Sequence, residues 1–229
     1  MQGLDDLAVV ELWERAHGCG PADRGLLLLA TALPEAVQDC CAETSIAARD
    51  AAVLALRRAT FGHKLACATA CPDCGAELEF ELDAAALPAD TPAETELRAA
   101  GLCFRLPASR DLAEAGRCAS SPDAARTLLR LCCLEEVAPE PTPSLLAEVE
   151  REMARLLDEF ELRFDCAACG HGWTSGFDIC AYFWQEIEHR AAGLLDDVHR
   201  LACCYGWGEQ QILGMSGRRR AAYLRRCDL

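Results

Sequence analysis

Two short runs, Cys71-Pro72-Asp73-Cys74-Gly75 and Cys166-Ala167-Ala168-Cys169-Gly170, carry the residues with the clearest chemistry. Each sets two thiols three positions apart and follows them with glycine, which is knuckle spacing. Together they supply the four thiolates of a tetrahedral site for one Zn2+. Cys71, Cys74, Cys166 and Cys169 would close that site, leaving no position for water or substrate, so the ion is expected to be structural. The glycine after each second cysteine permits a turn with positive φ that brings backbone amides toward sulfur. A weak repeat supports pairing the two runs. After the first, Leu78, Phe80 and Leu82 alternate with Glu77, Glu79 and Glu81 before Asp83; after the second, Trp173 and Phe177 flank Thr174, Ser175 and Gly176 before Asp178. Each knuckle is expected to open a ribbon strand.

The stretch 75–165 between the pairs is far longer than a ribbon loop. Closure entropy rises only about 0.6 kcal/mol per doubling of loop length, against roughly 10 to 16 kcal/mol from structural zinc, so a shared site tolerates the insertion. Two separate sites completed by other ligands, or a redox or core role, are the alternatives. A thioredoxin-like pair would sit at a helix start after a buried strand, and neither copy does. His63 and Cys67 precede Cys71 at intervals of four and would share a helical face if the helix from near Thr44 continued. Gly62 is expected to stop it. His171 could be a ligand or a donor beside one, although Cys169 is better placed by spacing.

The elements that must hold these residues follow from composition and periodicity. With 229 residues and 52% hydrophobic content the chain can bury a sizeable core. The acidic start, Met1 to Asp6, lacks the pattern of an export signal, and no run approaches 18 uncharged apolar residues; a cytoplasmic protein without a membrane span is expected. Helical faces are read at Leu7, Val10, Leu12 and Trp13, at Leu26 to Leu29, and at Ile46, Val53, Leu54 and Leu56, punctuated by Gly18, Gly20, Pro21 and Pro34. Leu102, Phe104 and Leu106 mark a strand after Pro88 and Pro92, ended by Pro107. Ser121-Pro122 reads as the opening of a helix through Leu128, Leu131 and Leu134. Pro139, Pro141 and Pro143 break it before a helix with Leu146, Val149, Met153, Leu156 and Phe160, and Leu162 and Phe164 then lead into the second knuckle.

The longest helix, from about Ala181 to Tyr205, carries a seam of Phe183, Ile187, Ala191, Leu194, Val198, Leu201 and Tyr205, read as core rather than as a partner seam. Ser216 would cap a final basic helix. The fold class expected is α+β, predominantly helical, with a small antiparallel zinc ribbon split by a long insertion. Its parts are an N-terminal helical region (1–62), the first half of the ribbon (63–83), an inserted α/β subdomain (84–165), the second half of the ribbon (166–179) and the long helix with its basic tail (180–229).

Function classes narrow with charge and motif. A net charge of −15 opposes nucleic-acid binding, which needs cations to displace phosphate counterions. The tail is the exception, with Arg218, Arg219, Arg220, Arg225 and Arg226 against Asp228, and suits docking to an acidic protein or a plain solvated face. The doublets Cys40-Cys41, Cys132-Cys133 and Cys203-Cys204 read as buried free thiols serving as small hydrophobes. HExxH, GxSxG, a phosphate loop and a marked nucleophile are all missing, so no catalytic residue and no small-molecule substrate are expected. The alternatives are a zinc-ribbon nucleic-acid-binding or regulatory protein, or a thiol- or metal-dependent enzyme.

Several stretches resemble the T4-type phage baseplate hub assembly proteins and their relatives in bacterial contractile injection systems. They are Cys71 to Gly75 with Leu78-Glu79-Phe80; Gly101-Leu102-Cys103-Phe104-Arg105-Leu106-Pro107 leading to Arg110-Asp111-Leu112; and Cys166 through Phe177-Asp178-Ile179 to Trp184-Gln185-Glu186-Ile187-Glu188. The order continues through His199-Arg200-Leu201-Ala202, Tyr205-Gly206-Trp207, Ile212-Leu213, Arg218-Arg219 and Tyr223-Leu224. It covers about two thirds of the chain, and the C-terminal block is its most distinctive part. Gly217 departs from the pattern, where proline would open the last helix. The resemblance implies a component or assembly chaperone of a phage-like contractile-tail baseplate, acting by contact with other baseplate, hub or tail proteins and bringing no catalytic residues. Trp184, Trp207, Arg218, Arg219 and Tyr223 are the expected contact residues.

Overall fold

The computed structural model describes residues 2–33, 41–87, 95–157 and 161–227. The expectations placed on Pro34, Cys40, Pro88, Pro92, Phe160 and Asp228 lie outside the described residues. Three helices come first: α1 (Asp6–Ala16), α2 (Pro21–Ala32) and α3 (Ile46–Phe61). Each starts where the chain supplies a cap or a preset φ. Asp5 accepts from the Ala8 amide, Pro21 occupies the first turn of α2, and Ser45 accepts from the Ala48 amide. Gly62, at φ 87°, ends α3 and turns the chain into β1 (Lys64–Ala70), which pairs antiparallel with β2 (Glu77–Asp83). His63 and Cys67 therefore lie beyond the helix, Cys67 on a strand opposite Phe80.

The stretch that follows holds β3 (Glu96–Ala99), β4 (Leu102–Arg105), α4 (Ser109–Ala115), α5 (Ser121–Cys132) and α6 (Pro143–Leu157). A cluster of its own, Leu97, Phe104, Leu106, Leu129, Leu145 and Val149, packs these elements together. The cap of α5 is Ser120, one residue before the expected Ser121, with Pro122 still in the first turn. A second fixed point is polar. Arg105 donates to both carboxylate oxygens of the buried Asp111, at 2.5 and 2.9 Å, and to the Leu131 carbonyl, while the Ala108 amide donates to Asp111. Burial pushes the Asp111 carboxyl up, but Arg105 and the Ala108 amide outweigh it and hold the group below the usual carboxylate range.

A third antiparallel pair, β5 (Glu161–Asp165) and β6 (Gly172–Gly176), precedes α7 (Ile179–Tyr205), α8 (Glu209–Leu213) and α9 (Gly217–Cys227). Asp178 caps α7 and Gly206, left-handed at φ 70°, ends it. Phe183, Ile187, Ala191, Leu194 and Leu201 are fully buried along the expected seam, whereas Val198 is only partly covered and Tyr205 is 38% exposed. Phe183, Ile187, Ala191 and Leu194 pack with Val9, Leu12, Leu28, Val53, Leu56, Leu65 and Leu213 into the principal core. The whole is an α+β fold, mostly helical, with small antiparallel strand pairs.

Two expectations need correction. Trp184 is 3% exposed in the core, with the Arg24 guanidinium 4.6 Å from its ring centroid, so it offers no surface to a partner. Of the cysteine doublets, Cys132 is buried as expected, but Cys203 and Cys204 are exposed because they fall on the solvent side of the last turn of α7.

A four-cysteine candidate metal centre

Each knuckle is the tip of a hairpin, and the two tips have the same backbone. In the first, the Gly75 amide donates to the Cys71 carbonyl at 2.9 Å and the Cys71 amide to the Ala76 carbonyl at 2.9 Å. In the second, Gly170 donates to Cys166 at 2.8 Å and Cys166 to His171 at 2.9 Å. Gly75 and Gly170 sit at φ 74° and 76°, a conformation that glycine adopts without steric cost. The repeat extends to its closing aspartates. Asp83 accepts from the Ala85 amide and Asp178 from the Ala181 amide, each capping the helical turn that follows its hairpin.

The two tips meet. All four Sγ atoms of Cys71, Cys74, Cys166 and Cys169 lie within 4.8 Å of one another. Cys71 and Cys169 are 3.7 Å apart and Cys74 and Cys166 3.6 Å. Those separations far exceed a disulfide bond, and they match the edge of a tetrahedron with metal–sulfur bonds of about 2.3 Å, which is roughly 3.8 Å. Cys71 and Cys166 are buried, while Cys74 and Cys169 face outward. The amides of Cys169 and Ala168 point at the Cys166 sulfur and lower its pKa to about 7. For Cys169 the His171 amide acts in the same direction, but desolvation and the three neighbouring thiols prevail and raise it to about 12. Four thiols this close oppose one another's ionisation, and a divalent cation among them removes the conflict. The residues present therefore fit a metal ion, and the cluster could hold one. Its four ligands would satisfy the ion completely and leave it a purely structural tie.

His63, Cys67 and His171 stand outside this group, which among the described residues consists of the four cysteines. The Cys67 thiol donates to the Leu65 carbonyl on its own strand. His171 contributes its backbone to the knuckle, and its ring stacks on Trp173 with centroids 6.2 Å apart.

What anchors the hairpins differs from what joins them. Arg57, 2% exposed, donates to both oxygens of Glu186 on α7 and to the carbonyls of Gly62 and Lys64, fixing the base of β1–β2. The Tyr182 hydroxyl donates to the Ala66 carbonyl. No sequence pattern announces Arg57, because a buried arginine on a helix carries no periodic signature, and Glu186 stands out in the sequence only as part of a resembling stretch. Between the hairpins, Phe80 meets Phe164 edge-on at 5.0 Å, and Phe164 stacks on Trp173 at 5.2 Å.

At the other end of α7, Trp207 stacks on Tyr205 at 4.5 Å, and Tyr223 meets both rings edge-on. Arg219 lies 5.9 Å from the Tyr223 centroid, and Arg218 and Arg219 are exposed. The structure thus gathers Trp207, Tyr223 and Arg219 and separates Trp184 from them. Arg220, 2% exposed, pins α9 by donating to Asp197 at 2.9 Å and to Asp6 at 2.6 Å.

Comparison with known proteins gives a family match. A family model described as T4 bacteriophage base plate protein covers residues 26–140, just over half of the chain. The span includes Cys71, Cys74 and the Arg105–Asp111 clamp, and it leaves out Cys166, Cys169 and the C-terminal block that carried much of the sequence resemblance. No curated protein and no solved structure matches the chain. On the strength of that match the chain belongs to the T4 bacteriophage base plate protein family.

Proposed function

We propose that this protein is a non-enzymatic component or assembly chaperone of the baseplate of a phage-like contractile tail or injection system, held in shape by one structural zinc at Cys71, Cys74, Cys166 and Cys169. Membership of the base plate family carries the reading, and the closed thiol cluster supports a brace rather than a reaction centre. No helix among the described residues is long and apolar enough to cross a membrane, which suits a protein that works in the cytoplasm and enters a particle.

Its contacts with other baseplate, hub or tail subunits would be made by the tip of α7 and by α9. Trp207 and Tyr223 are half-buried in a rigid aromatic stack beside the exposed Arg218 and Arg219, and aromatic rings with arginine dominate binding energy at protein interfaces. The basic tail on an acidic body would select an acidic partner surface. Co-expression with defined baseplate and hub subunits tests this. The wild-type chain should co-purify with one of them, and the double charge reversal Arg218→Glu, Arg219→Glu should abolish the complex without changing metal content. Baseplates that assemble with normal composition and yield when the gene is deleted would overturn the reading.

A further inference from the structure

α9 and the connector before it are bound to the body in opposite ways. From α8 to Met215 the chain is seated by carbon: Ile212, Leu213 and Met215 are buried, and Leu213 joins the principal core. In α9 the buried side chain is Arg220, while Ala221, Ala222, Tyr223 and Leu224 are only half-buried. Between the two, Ser216 and Gly217 are exposed, and a side chain at Gly217 would meet open space. A cation thus stands where an apolar anchor would ordinarily hold a helix.

That anchor is a row of four alternating charges. Arg220 donates through Nε to Asp197 on α7 at 2.9 Å and through Nη2 to Asp6 in the first turn of α1 at 2.6 Å. The other oxygen of Asp6 accepts from Arg190 on α7 at 2.6 Å. Burial pushes the Asp6 carboxyl up, but the two arginines outweigh it and hold it below the usual carboxylate range, so these pairs are ionised near neutrality. Desolvation of buried ions offsets most of their attraction, so the row fixes where α9 sits more than it adds stability. The half-buried side chains add little apolar free energy. The remaining hold is the Tyr223 ring, edge-on to Tyr205 and Trp207 at the exposed tip of α7.

We propose that α9 is a latched arm, a unit that opens about Ser216 and Gly217 while the rest of the body stays folded, with Arg220 between Asp6 and Asp197 as its catch. One carboxylate belongs to α1 and the other to α7, so both ends of the chain meet in the catch. Opening severs the two pairs together and hydrates Arg220, while Asp6 keeps Arg190 as a partner, which lowers the cost of parting. Freed from the body, the 11 residues of α9 are too few for a stable helix in water, so opening melts it and frees its amides. Arg218, Arg219 and Tyr223 travel with the arm. That the catch thereby positions a partner-binding face rests on the baseplate reading; the opening itself does not.

The test is amide exchange of the full chain near neutral pH under reducing conditions, read on peptides from α7 and α9. In the wild type, α9 should exchange roughly a hundredfold or more faster than the buried stretch from Phe183 to Leu194. Asp197→Asn, which leaves α1 untouched, should speed exchange in α9 about tenfold further, because it leaves the buried guanidinium one carboxylate short, and should spare Phe183 to Leu194 and β1–β2. Asp6→Asn should do the same. Tryptic cleavage after Arg218, Arg219 and Arg225 should accelerate by the same factor in both variants. Arg225→Gln, which removes an exposed charge from the same helix, should leave the exchange of α9 unchanged. Wild-type α9 amides that exchange as slowly as those of α7, or equal acceleration of α7 and α9 in the asparagine variants, would make α9 part of one cooperative body and overturn the proposal. Exchange in α9 that neither variant changes would overturn it too, by moving the hold from the charges to the aromatic rings. No partner enters the measurement, so failure of the baseplate reading leaves its outcome untouched.

Discussion

The two knuckles share one backbone and differ in what stands behind them. The β1–β2 hairpin is built into the body: Leu65 is fully buried, Leu82 and Cys67 pack on the principal core, Arg57 holds its base and Tyr182 its first strand. In β5–β6, by contrast, every described side chain from Leu162 to Asp178 is half-buried or exposed except Cys166. Its strands bury too little apolar surface to offset the cost of ordering them, and an isolated two-stranded hairpin is marginal in water. Identical local geometry therefore has two origins, core packing in one copy and the shared thiol cluster in the other. The difference would make the task of an ion held there specific: it would seat the second hairpin on the first.

If the cluster holds the proposed zinc, removing it should break the molecule at that seam. Cys166→Ser or Cys71→Ser is expected to abolish stoichiometric zinc, measured by elemental analysis under reducing conditions, and to destabilise the protein by more than about 4 kcal/mol. In both variants amide exchange should speed up through β5–β6 and spare β1–β2, even when the lost ligand belongs to β1–β2. Equal loosening of both hairpins would show that the supports are not asymmetric.

The converse break removes the body's hold on the first hairpin. Arg57→Met strands the Glu186 carboxylate and two carbonyls that now share one buried guanidinium, at a cost of about 3 to 5 kcal/mol in urea denaturation. Exchange should then quicken at Gly62 to Ala66 while the zinc content stays at one per chain. Simultaneous loss of zinc would mean that β1–β2 depends on the cluster as heavily as β5–β6 does.

The insertion joining the knuckles supplies a further, smaller test. Asp111→Asn removes one side of the bidentate pair with Arg105 and is expected to cost about 2 to 3 kcal/mol near neutrality. Because the folded-state pKa of Asp111 lies below its unfolded value, its contribution is complete above about pH 4 to 5 and fades as pH falls through the folded pKa. Wild type and variant should thus converge in stability under strongly acidic conditions, after protons have already displaced the metal from its thiolates. A gap that persisted there would assign the effect to packing.

Much of the architecture was legible in residue spacing. The knuckles, their glycines and the remote pairing of the thiols follow from Cys-x-x-Cys-Gly, and α7 follows from its apolar seam. What escaped did so for physical reasons. In β1 the outward residues are Ala66, Ala68 and Ala70 and the inward ones include Cys67 and Thr69, so the alternation lacks the contrast that marks a half-buried strand. The β3–β4 hairpin turns at Ala100 and Gly101, at φ 51° and 80°, where asparagine–glycine would have signalled the turn; alanine at positive φ gives no warning. The stretch around Trp184 does not reveal which face of α7 the ring takes, since one residue along a helix separates a buried face from an exposed one. Arg57 and Arg105 act through carboxylates on other elements, which spacing along the chain does not reveal.

The smallest effect decides whether sulfur or carbon seats the second hairpin. Phe80 on β2 meets Phe164 on β5 edge-on, and that contact with Trp173 behind it is the aromatic tie between the hairpins beside the thiols. An aromatic pair contributes about 0.5 to 1.5 kcal/mol beyond its area, an order of magnitude below the binding of a structural zinc. Phe80→Ala should therefore keep its zinc, unfold at a slightly lower urea concentration, and release the metal to a chelator only a few-fold faster. Stripped of metal, the wild type and Phe80→Ala should show the same rapid exchange in β5–β6, because the aromatic contact alone is too weak to order it. If the metal-free wild type kept β5–β6 protected and Phe80→Ala lost that protection, the rings would be the clasp and the thiol cluster an accessory to it.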